Sequence, residues 1–356
     1  MTTPVSSDPR RPAIAEPRPA QLAIPAPVLA ELEARGLPVA GVLDAVESRL
    51  HEQVGSSHAF VDEAARYLIS AGGKRFRPLL VALAGHLGDP QRPQLVDAGA
   101  IVELVHLATL YHDDVIDEAP ARRGSPTANS RWDNTVAILT GDFLFARAAE
   151  LSADLGVEVT RIMARTLASL CEGEIREVQG SIGALPPEVP TLEPTREHYL
   201  EVVSGKTASL IETSCRYGAL LSGVDAEGVE AAARYGWNVG MAFQLSDDIL
   251  DITSDPDESG KTPGTDLREG VRTLPVLHAL ELDVDGELAA LLDGELGDAE
   301  VARALALLRG SEAVDRSRAD AAAYVRAAVD HLAVFGDRPA VDALTRLAEY
   351  ALDRTG

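Results

Sequence analysis

The chain of 356 residues is 46% hydrophobic, only 4% aromatic and 25% charged, and its formal net charge is −24. This length supports one large domain, the negative charge would repel a nucleic acid, and the two cysteines lack the paired spacing of a disulfide framework or a zinc site. Because the apolar residues are mainly Ala and Leu, the composition predicts an all-α fold.

The predicted helices follow a proline-rich leader. Residues 1–27 hold seven prolines and little periodic hydrophobicity, so we expect this leader to be disordered. From residue 28 to residue 356, apolar positions recur every three to four residues, which predicts a large single-domain helical bundle. Before residue 260, the predicted helices are 28–35, 42–52, 59–70, 78–88, 95–118, 135–155, 157–178, 199–221 and 227–251.

No part of the sequence has the pattern of a membrane span or a secretory signal. The chain lacks an uninterrupted run of 18 apolar residues, and its N-terminus lacks a charged segment followed by an apolar one. We therefore expect a cytoplasmic protein without a membrane span.

An aspartate cluster, Asp113-Asp114-Val115-Ile116-Asp117, ends the fifth predicted helix. Asp113 and Asp117 are four residues apart, so their carboxylates point to the same face of the helix and repel each other. The negative end of the helix dipole adds to this penalty. A bound cation would remove the conflict.

A second cluster, Asp247-Asp248-Ile249-Leu250-Asp251, repeats this spacing at the end of another predicted helix. Carboxylate clusters without His or Cys suit Mg²⁺, which usually completes its shell with water and phosphate oxygens. The pattern predicts a site for a phosphate or diphosphate bound through magnesium. A solvated acidic face is the alternative for either cluster alone.

The chain has only three lysines, Lys74, Lys206 and Lys261, and each follows a glycine. Residues 72–78, Gly-Gly-Lys-Arg-Phe-Arg-Pro, place three cations between a glycine pair and a proline, which is typical of an anion-binding loop. A basic surface cluster is the alternative. Residues 204–207, Ser-Gly-Lys-Thr, are expected to precede a helix start, where backbone N–H groups and a hydroxyl can bind phosphate.

Other polar residues lie close to the two clusters in sequence. Arg122 and Arg123 follow the first cluster by a few residues, and His106 precedes Asp113 by two helical turns. Without further information, a helix-surface histidine is the alternative for His106. Gln244 is the one polar side chain between residues 241 and 245, and a buried amide needs a partner.

From about residue 59 to residue 275, these motifs resemble those of the all-trans polyprenyl (isoprenyl) diphosphate synthases in order and spacing. The resemblance rests on the two aspartate clusters, the GGKRFRP loop and the Arg-Arg-Gly at residues 122–124. It implies a helical bundle of the isoprenoid synthase type around a deep apolar pocket, usually in a homodimer. The implied reaction is the Mg²⁺-dependent, head-to-tail condensation of isopentenyl diphosphate with an allylic diphosphate, with three ions bound.

The resemblance also implies a role for each motif residue. The implied metal ligands are Asp113, Asp117, Asp247 and Asp251, and Asp114, Asp248, Lys206 and Lys261 complete the implied catalytic set. The allylic diphosphate would contact Arg122, Lys206, Thr207, Gln244 and Lys261. Isopentenyl diphosphate, kept free of metal, would contact Lys74, Arg77, His106 and Arg123.

The sequence departs from this family in two places. Glu177 stands where many relatives carry Gln, and Val271 stands where many carry Lys, with Arg272 as the candidate substitute in phosphate binding. Two other functions remain open: a class I terpene cyclase, and a non-catalytic or regulatory subunit of a heteromeric synthase. The second diphosphate-binding loop argues against the first, and two complete aspartate clusters argue against the second.

Product length depends on residues just before the first cluster. In the family, residues four and five before the first Asp lie beneath the growing tail, and bulky aromatic side chains there stop elongation. Thr109 and Ala108 occupy these positions and are small. We therefore expect products of twenty carbons or longer, with Phe143 or Phe145 as candidate stops.

Overall fold

The computed structural model describes residues 26–122, 124–181, 185–186, 188–254, 263–294 and 296–353. The predicted leader, residues 1–27, lies outside these ranges except for Ala26 and Pro27, with which the first helix begins. Arg123 and Lys261, predicted to bind substrate, also lie outside the described residues. The all-α prediction is confirmed, since the strands described are only β1 (Ala121–Arg122) and β2 (Ser125–Pro126), which form an antiparallel hairpin.

The first half of the bundle agrees closely with the predicted helices. Its helices are α1 (Ala26–Ala34), α2 (Ala40–Gln53), α3 (Ala59–Ser70), α4 (Phe76–Gly85), α5 (Gln94–Ile116), α6 (Ala128–Arg131), α7 (Asn134–Asp154) and α8 (Val157–Gly180). Asp133 begins α7, because its side chain accepts a hydrogen bond from the Val136 N–H at 2.9 Å.

The second half contains a break that the pattern did not predict. Its elements are α9 (Arg196–Val203), a π-helical turn (Ser204–Ala208), α10 (Ser209–Ser222), α11 (Ala226–Thr253), α12 (Thr265–Arg268), α13 (Leu274–Leu282), α14 (Glu287–Leu292), α15 (Asp298–Arg309), α16 (Ala313–His331), a 3-10 turn (Leu332–Phe335) and α17 (Pro339–Asp353). A single predicted helix over 199–221 is therefore α9 and α10 joined through the π-helical turn.

Helix α5 is a core helix of the bundle. Ile101, Leu104 and Leu107 are wholly buried, and α5 packs against α2, α4, α7 and α10. This helix is long and apolar enough to cross a membrane, but 72% of its most apolar stretch is buried inside the protein. Because α10 packs against both α5 and α11, the two helices that carry the aspartate clusters are held to a common neighbour.

Candidate active site

A cavity of about 500 Å³ lies at the ends of the helices that carry the aspartate clusters. Among the predicted site residues, those lining it are Asp117, Lys206, Thr207, Gln244 and Asp248. The other polar side chains of the lining are Glu118, Glu174, Glu177, Ser181, His198, Tyr199, Asp266, Glu269, Arg272 and Thr273. The cavity is therefore bordered by both clusters and is rich in carboxylates.

Within the first cluster, Asp113 and Asp117 lie on the side of Lys206, whereas Asp114 points to another face of the helix. Asp113 lies within electrostatic range of Lys206 and Glu174, and burial raises its pKa to about 7 although the lysine opposes the shift. Burial likewise raises the pKa of Asp117. Asp114 is wholly buried on another face, where its Oδ1 accepts a 2.6 Å hydrogen bond from Arg122 Nε. Asp114 thus holds Arg122 beside the cluster.

Lys206 is placed by the π-helical turn and by α8. The two backbones touch at Gly173 and Gly205: a Cβ on Gly173 would lie 2.5 Å from the Lys206 nitrogen, so only glycine fits there. This contact brings Lys206 Nζ to 3.0 Å from Glu174 Oε2 and into a hydrogen bond with Glu177. Burial disfavours the charged ammonium, but the two glutamates outweigh it and raise the pKa of Lys206.

Residues 204–207, predicted to precede a helix start, do lie directly before α10, but they do not present the free backbone N–H groups of a helix N-terminus. These residues form the π-helical turn, and the helical path continues on both sides of it. The side chains of Lys206 and Thr207, rather than a row of free backbone N–H groups, are therefore the groups available to a ligand.

A chain of hydrogen bonds joins this turn to the second cluster. The Thr207 hydroxyl donates to Gln244 Oε1 at 2.8 Å, and Gln244 Nε2 donates to Asp248 Oδ1 at 2.8 Å. The Tyr199 hydroxyl donates to the other oxygen of Asp248. Burial raises the pKa of Asp248 to about 7, although both hydrogen bonds oppose the shift. These contacts fix the orientation of Gln244 and Asp248 at the cavity wall.

Asp251 and Asp247 have different surroundings from Asp248. The carboxylate oxygens of Asp251 accept hydrogen bonds from the backbone N–H groups of Thr265 at 3.1 Å and Asp266 at 3.3 Å. Asp251 therefore anchors α12 and helps to place Asp266 at the cavity, where burial and neighbouring carboxylates raise the pKa of Asp266 to about 9. Asp247 is half-buried, and neither Asp247 nor Asp251 lines the cavity.

The residues predicted to hold the second diphosphate lie outside this lining. Lys74 is exposed before α4, and His106 is half-buried on α5, two turns before Asp113. Arg77 lies within electrostatic range of Asp113, and burial lowers its pKa. Its Nε is buried and has no hydrogen-bond partner among the described residues. Arg77 thus places a buried donor next to the first cluster.

Arg75 does not act as a third cation of this loop. Its side chain is only 2% exposed and turns inward, where it forms ion pairs with Glu47 and Glu103. The prediction of three available cations is therefore wrong, because two acidic residues distant in sequence neutralise one of them.

Several lining residues were not predicted from the sequence. Glu174 lies on α8 three residues before Glu177, a spacing that places like charges on neighbouring positions of one helix face, so this pair could have been found in the sequence. Asp266 and Glu269 reach the cavity through α12, and no local pattern distinguishes them. Arg272 does line the cavity; its Nη2 donates to Asp293 at 3.0 Å, while its Nε is buried without a partner among the described residues.

The donor set fits a hard divalent cation together with a phosphorylated ligand. The raised pKa values of Asp113, Asp248 and Asp266 indicate carboxylates with insufficient positive charge around them. Across the part of the chain that the structure describes, no three acidic, His or Cys residues converge into a complete metal cage. Oxygen ligands from phosphate and water would therefore have to complete the shell of an ion such as Mg²⁺.

Comparison with known proteins identifies the family. Residues 58–308 match the model of the polyprenyl synthetase family. The chain is 45% identical to a nonaprenyl diphosphate synthase from Mycobacterium tuberculosis over 87% of this chain and 92% of that protein. It resembles the structure of a decaprenyl diphosphate synthase from Rhodobacter capsulatus, with a TM-score of 0.82 and 35% identity over 93% of this chain and 99% of that one.

A second solved structure bears directly on the site. It is a polyprenyl synthase from Caulobacter crescentus complexed with calcium and isoprenyl diphosphate, with a TM-score of 0.80 and 35% identity over 92% of this chain and 97% of that one. The aspartate clusters, the helical fold and these matches lead to one conclusion. The chain belongs to the polyprenyl synthetase family, whose fold is the all-α isoprenoid synthase fold.

Proposed function

We propose that the protein is a Mg²⁺-dependent trans-prenyltransferase that condenses isopentenyl diphosphate head-to-tail with an allylic diphosphate. The observation that carries this proposal is the cavity bordered by both aspartate clusters and by Lys206, Thr207 and Gln244. Lys206 supplies a charged donor for a diphosphate, and the hydroxyl of Thr207 lies beside it.

In the proposed reaction, the carbon–oxygen bond of the allylic diphosphate breaks and the diphosphate leaves with the electron pair. The double bond of isopentenyl diphosphate attacks the resulting allylic cation, a carbon–carbon bond forms, and loss of a proton restores a double bond. Lys206, Thr207 and Arg122 hold the departing diphosphate, and Lys261 is proposed to join them. Lys74, Arg77, His106 and Arg123 hold isopentenyl diphosphate, whose own diphosphate must stay in place.

The carboxylates are proposed to hold three magnesium ions together with the allylic diphosphate. The proposed ligands are Asp113, Asp117, Asp247 and Asp251, together with Asp248, whose carboxylate lines the cavity. When bound, the ions would stabilise the negative charge that develops on the departing diphosphate. The calcium and isoprenyl diphosphate of the Caulobacter crescentus structure support a divalent cation in this role.

We also propose that the enzyme acts in the cytoplasm as a homodimer. The exposed apolar side chains of Ile138 and Leu139 on α7 and of Ile175 on α8 support a protein contact through these helices. The mass of the purified protein measured by light scattering tests the oligomeric state.

Turnover by the purified protein tests the proposed reaction. The protein is incubated with Mg²⁺, labelled isopentenyl diphosphate and, separately, allylic starters of five, ten and fifteen carbons, and the dephosphorylated products are separated by length. Linear products of at least twenty carbons are expected. A cyclic hydrocarbon formed without isopentenyl diphosphate would indicate a terpene cyclase. No incorporation from any starter would indicate a subunit that needs a partner.

The proposed product is twenty carbons or longer, and Ala108 and Thr109 provide a test of how its tail runs. Ala108 is wholly buried and Thr109 is half-buried on α5, just before Asp113. Ala108→Phe should shorten the product by filling the tail path, and Thr109→Phe is the companion variant in case the buried position does not tolerate the ring. An unchanged product from both folded variants would show that the tail does not pass these residues. The names of the matched relatives, nonaprenyl and decaprenyl diphosphate synthases, support a long product.

A further inference from the structure

Arg75, the middle cation of the GGKRFRP loop, is held in an unusual conformation. Its backbone is left-handed, with φ of 45°, although it carries a long side chain. Lys74 on one side is exposed, but the Arg75 side chain is only 2% exposed. Because residues with a Cβ rarely adopt this conformation, the surrounding contacts must impose it.

Two glutamates impose it, Glu103, which is buried, and Glu47, which is partly buried. Arg75 Nε and Nη2 donate to the two carboxylate oxygens of Glu47 at 2.7 and 2.9 Å, and Nη1 donates to Glu103 Oε1 at 2.9 Å. Glu47 belongs to α2 and Glu103 to α5, so one guanidinium ties the loop to two helices. The paired contact with Glu47 uses the planar fork of arginine, which lysine lacks.

Glu103 also lies within electrostatic range of Arg77, the loop cation proposed to hold isopentenyl diphosphate. Arg75 donates a hydrogen bond to Glu103, while the buried Nε of Arg77 has no hydrogen-bond partner among the described residues. If Arg75 were absent, the buried charge of Glu103 would lack its nearest counter-ion and would attract Arg77. The contact between Arg75 and Glu103 therefore keeps the side chain of Arg77 from pairing with Glu103.

The neighbouring residue of the loop is fixed as well. The ring of Phe76 stacks on that of Phe243, with centroids 5.3 Å apart and planes 21° from parallel. Phe243 directly precedes Gln244 at the cavity wall. The loop is thus attached to α2 and α5 through Arg75 and to α11 through Phe76.

We propose that Arg75 is a positioning residue for isopentenyl diphosphate: by forming ion pairs with Glu47 and Glu103, it holds the loop in its left-handed turn and keeps Arg77 available to the diphosphate. This inference rests on the proposed function. It differs from a general stabilising role because it concerns one of the two substrates.

The test compares the two substrates in four variants. In Arg75→Met, KM for isopentenyl diphosphate should rise on the order of 30-fold, while kcat and KM for the allylic starter change less than about threefold. Arg75→Lys should recover part of the loss, and the double variant Arg75→Met with Glu103→Gln should recover more, because Arg77 is then no longer drawn inward. Arg49→Met is the control, since Arg49 also joins α2 to α5, through a 2.7 Å contact with Asp97, and should leave both KM values unchanged.

Parallel increases in both KM values, without rescue by Glu103→Gln, would overturn the inference in favour of a purely structural role. If Arg75→Met does not fold, Glu47→Gln decides: a rise of about three- to tenfold in KM for isopentenyl diphosphate alone supports the inference, and no change overturns it. Binding of isopentenyl diphosphate measured by calorimetry separates this result from the proposed function. A wild type that binds isopentenyl diphosphate without turnover contradicts only the function, and one that does not bind it contradicts both.

Discussion

The two regions proposed to bind diphosphate, the cavity and the GGKRFRP loop, balance their charges in opposite ways. In the cavity, Lys206 faces Asp113, Glu174 and Glu177, and burial leaves several carboxylates with raised pKa values. At the GGKRFRP loop, Glu47 and Glu103 are already paired with Arg75, which leaves Lys74 and Arg77 available.

This difference agrees with the different fates proposed for the two substrates. A diphosphate that must leave requires additional positive charge at the moment of reaction, and a cavity with excess carboxylates can collect that charge as divalent cations. A diphosphate that must stay is better held by fixed arginine and lysine side chains, without a metal that would promote its departure. We therefore propose that the metal dependence of each diphosphate site follows from whether its carboxylates already form ion pairs with arginine.

The largest expected effect comes from removing one charge of the first aspartate cluster. Asp113→Asn should lower kcat on the order of a thousandfold, because the carboxylate is proposed to hold a metal at the departing diphosphate. Steady-state condensation rates measure this loss. Asp97→Asn, at the other end of the same helix, is the control and should retain nearly full activity. A loss of less than tenfold in Asp113→Asn would remove this residue from the metal site.

A smaller and more selective effect is expected in the loop. Arg77→Met should raise KM for isopentenyl diphosphate by about 10- to 100-fold, because a charge-assisted contact is lost, and should leave KM for the allylic starter nearly unchanged. Arg92→Met, an exposed arginine beyond α4, serves as the control. An equal rise in both KM values would show that the loop binds both substrates and would contradict its assignment to isopentenyl diphosphate.

Substitution of Glu177 is expected to strengthen substrate binding, in contrast to the two preceding variants. It forms a hydrogen bond with Lys206 and adds negative charge to the cavity wall. Glu177→Gln should lower KM for the allylic starter by about three- to tenfold, since Lys206 then has one competing carboxylate fewer. The control is Glu201→Gln, which removes the exposed partner of Arg176. A raised KM would show instead that Glu177 orients Lys206 for binding.

The smallest effect concerns stability and pH in the absence of metal. Burial raises the pKa values of Asp113 and Asp248 to about 7 and of Asp266 to about 9, above their common ordinary value of 3.8. Between these values the folded protein binds more protons than the unfolded chain, so the free energy of unfolding should fall as pH rises. In EDTA, the melting temperature at pH 9 should lie about 5 °C or more below that at pH 6.

Two further measurements test whether these carboxylates cause the loss of stability at high pH. Asp266→Asn should flatten the dependence at its upper end, and Mg²⁺ added with diphosphate should restore stability at pH 9. A melting temperature that rises with pH over this range would contradict the raised pKa values.

The sequence predicts the helices and the two aspartate clusters well because both depend on local spacing. Apolar periodicity locates α5 and α11 to within a few residues, and four-residue spacing places Asp113 and Asp117 on one face. Arg75 shows the limit: in the sequence it is a third loop cation, but Glu47 and Glu103, distant along the chain, draw it into the core.

The remaining differences have the same physical origin. The π-helical turn at residues 204–208 depends on the backbone contact between Gly205 and Gly173, which belongs to another helix. Asp266 enters the cavity because Asp251 anchors the start of α12. Contacts between segments far apart in sequence fix these features, and spacing within one segment does not encode them.

The proposed difference between the two diphosphate sites can be measured as the metal dependence of ligand binding. Calorimetric titrations with isopentenyl diphosphate and, separately, with a non-reactive thio analogue of an allylic diphosphate are carried out in Mg²⁺ and in EDTA. Removing Mg²⁺ should weaken binding of the allylic analogue on the order of a hundredfold and binding of isopentenyl diphosphate less than about threefold. Equal losses for both ligands, or a larger loss for isopentenyl diphosphate, would contradict the proposed difference.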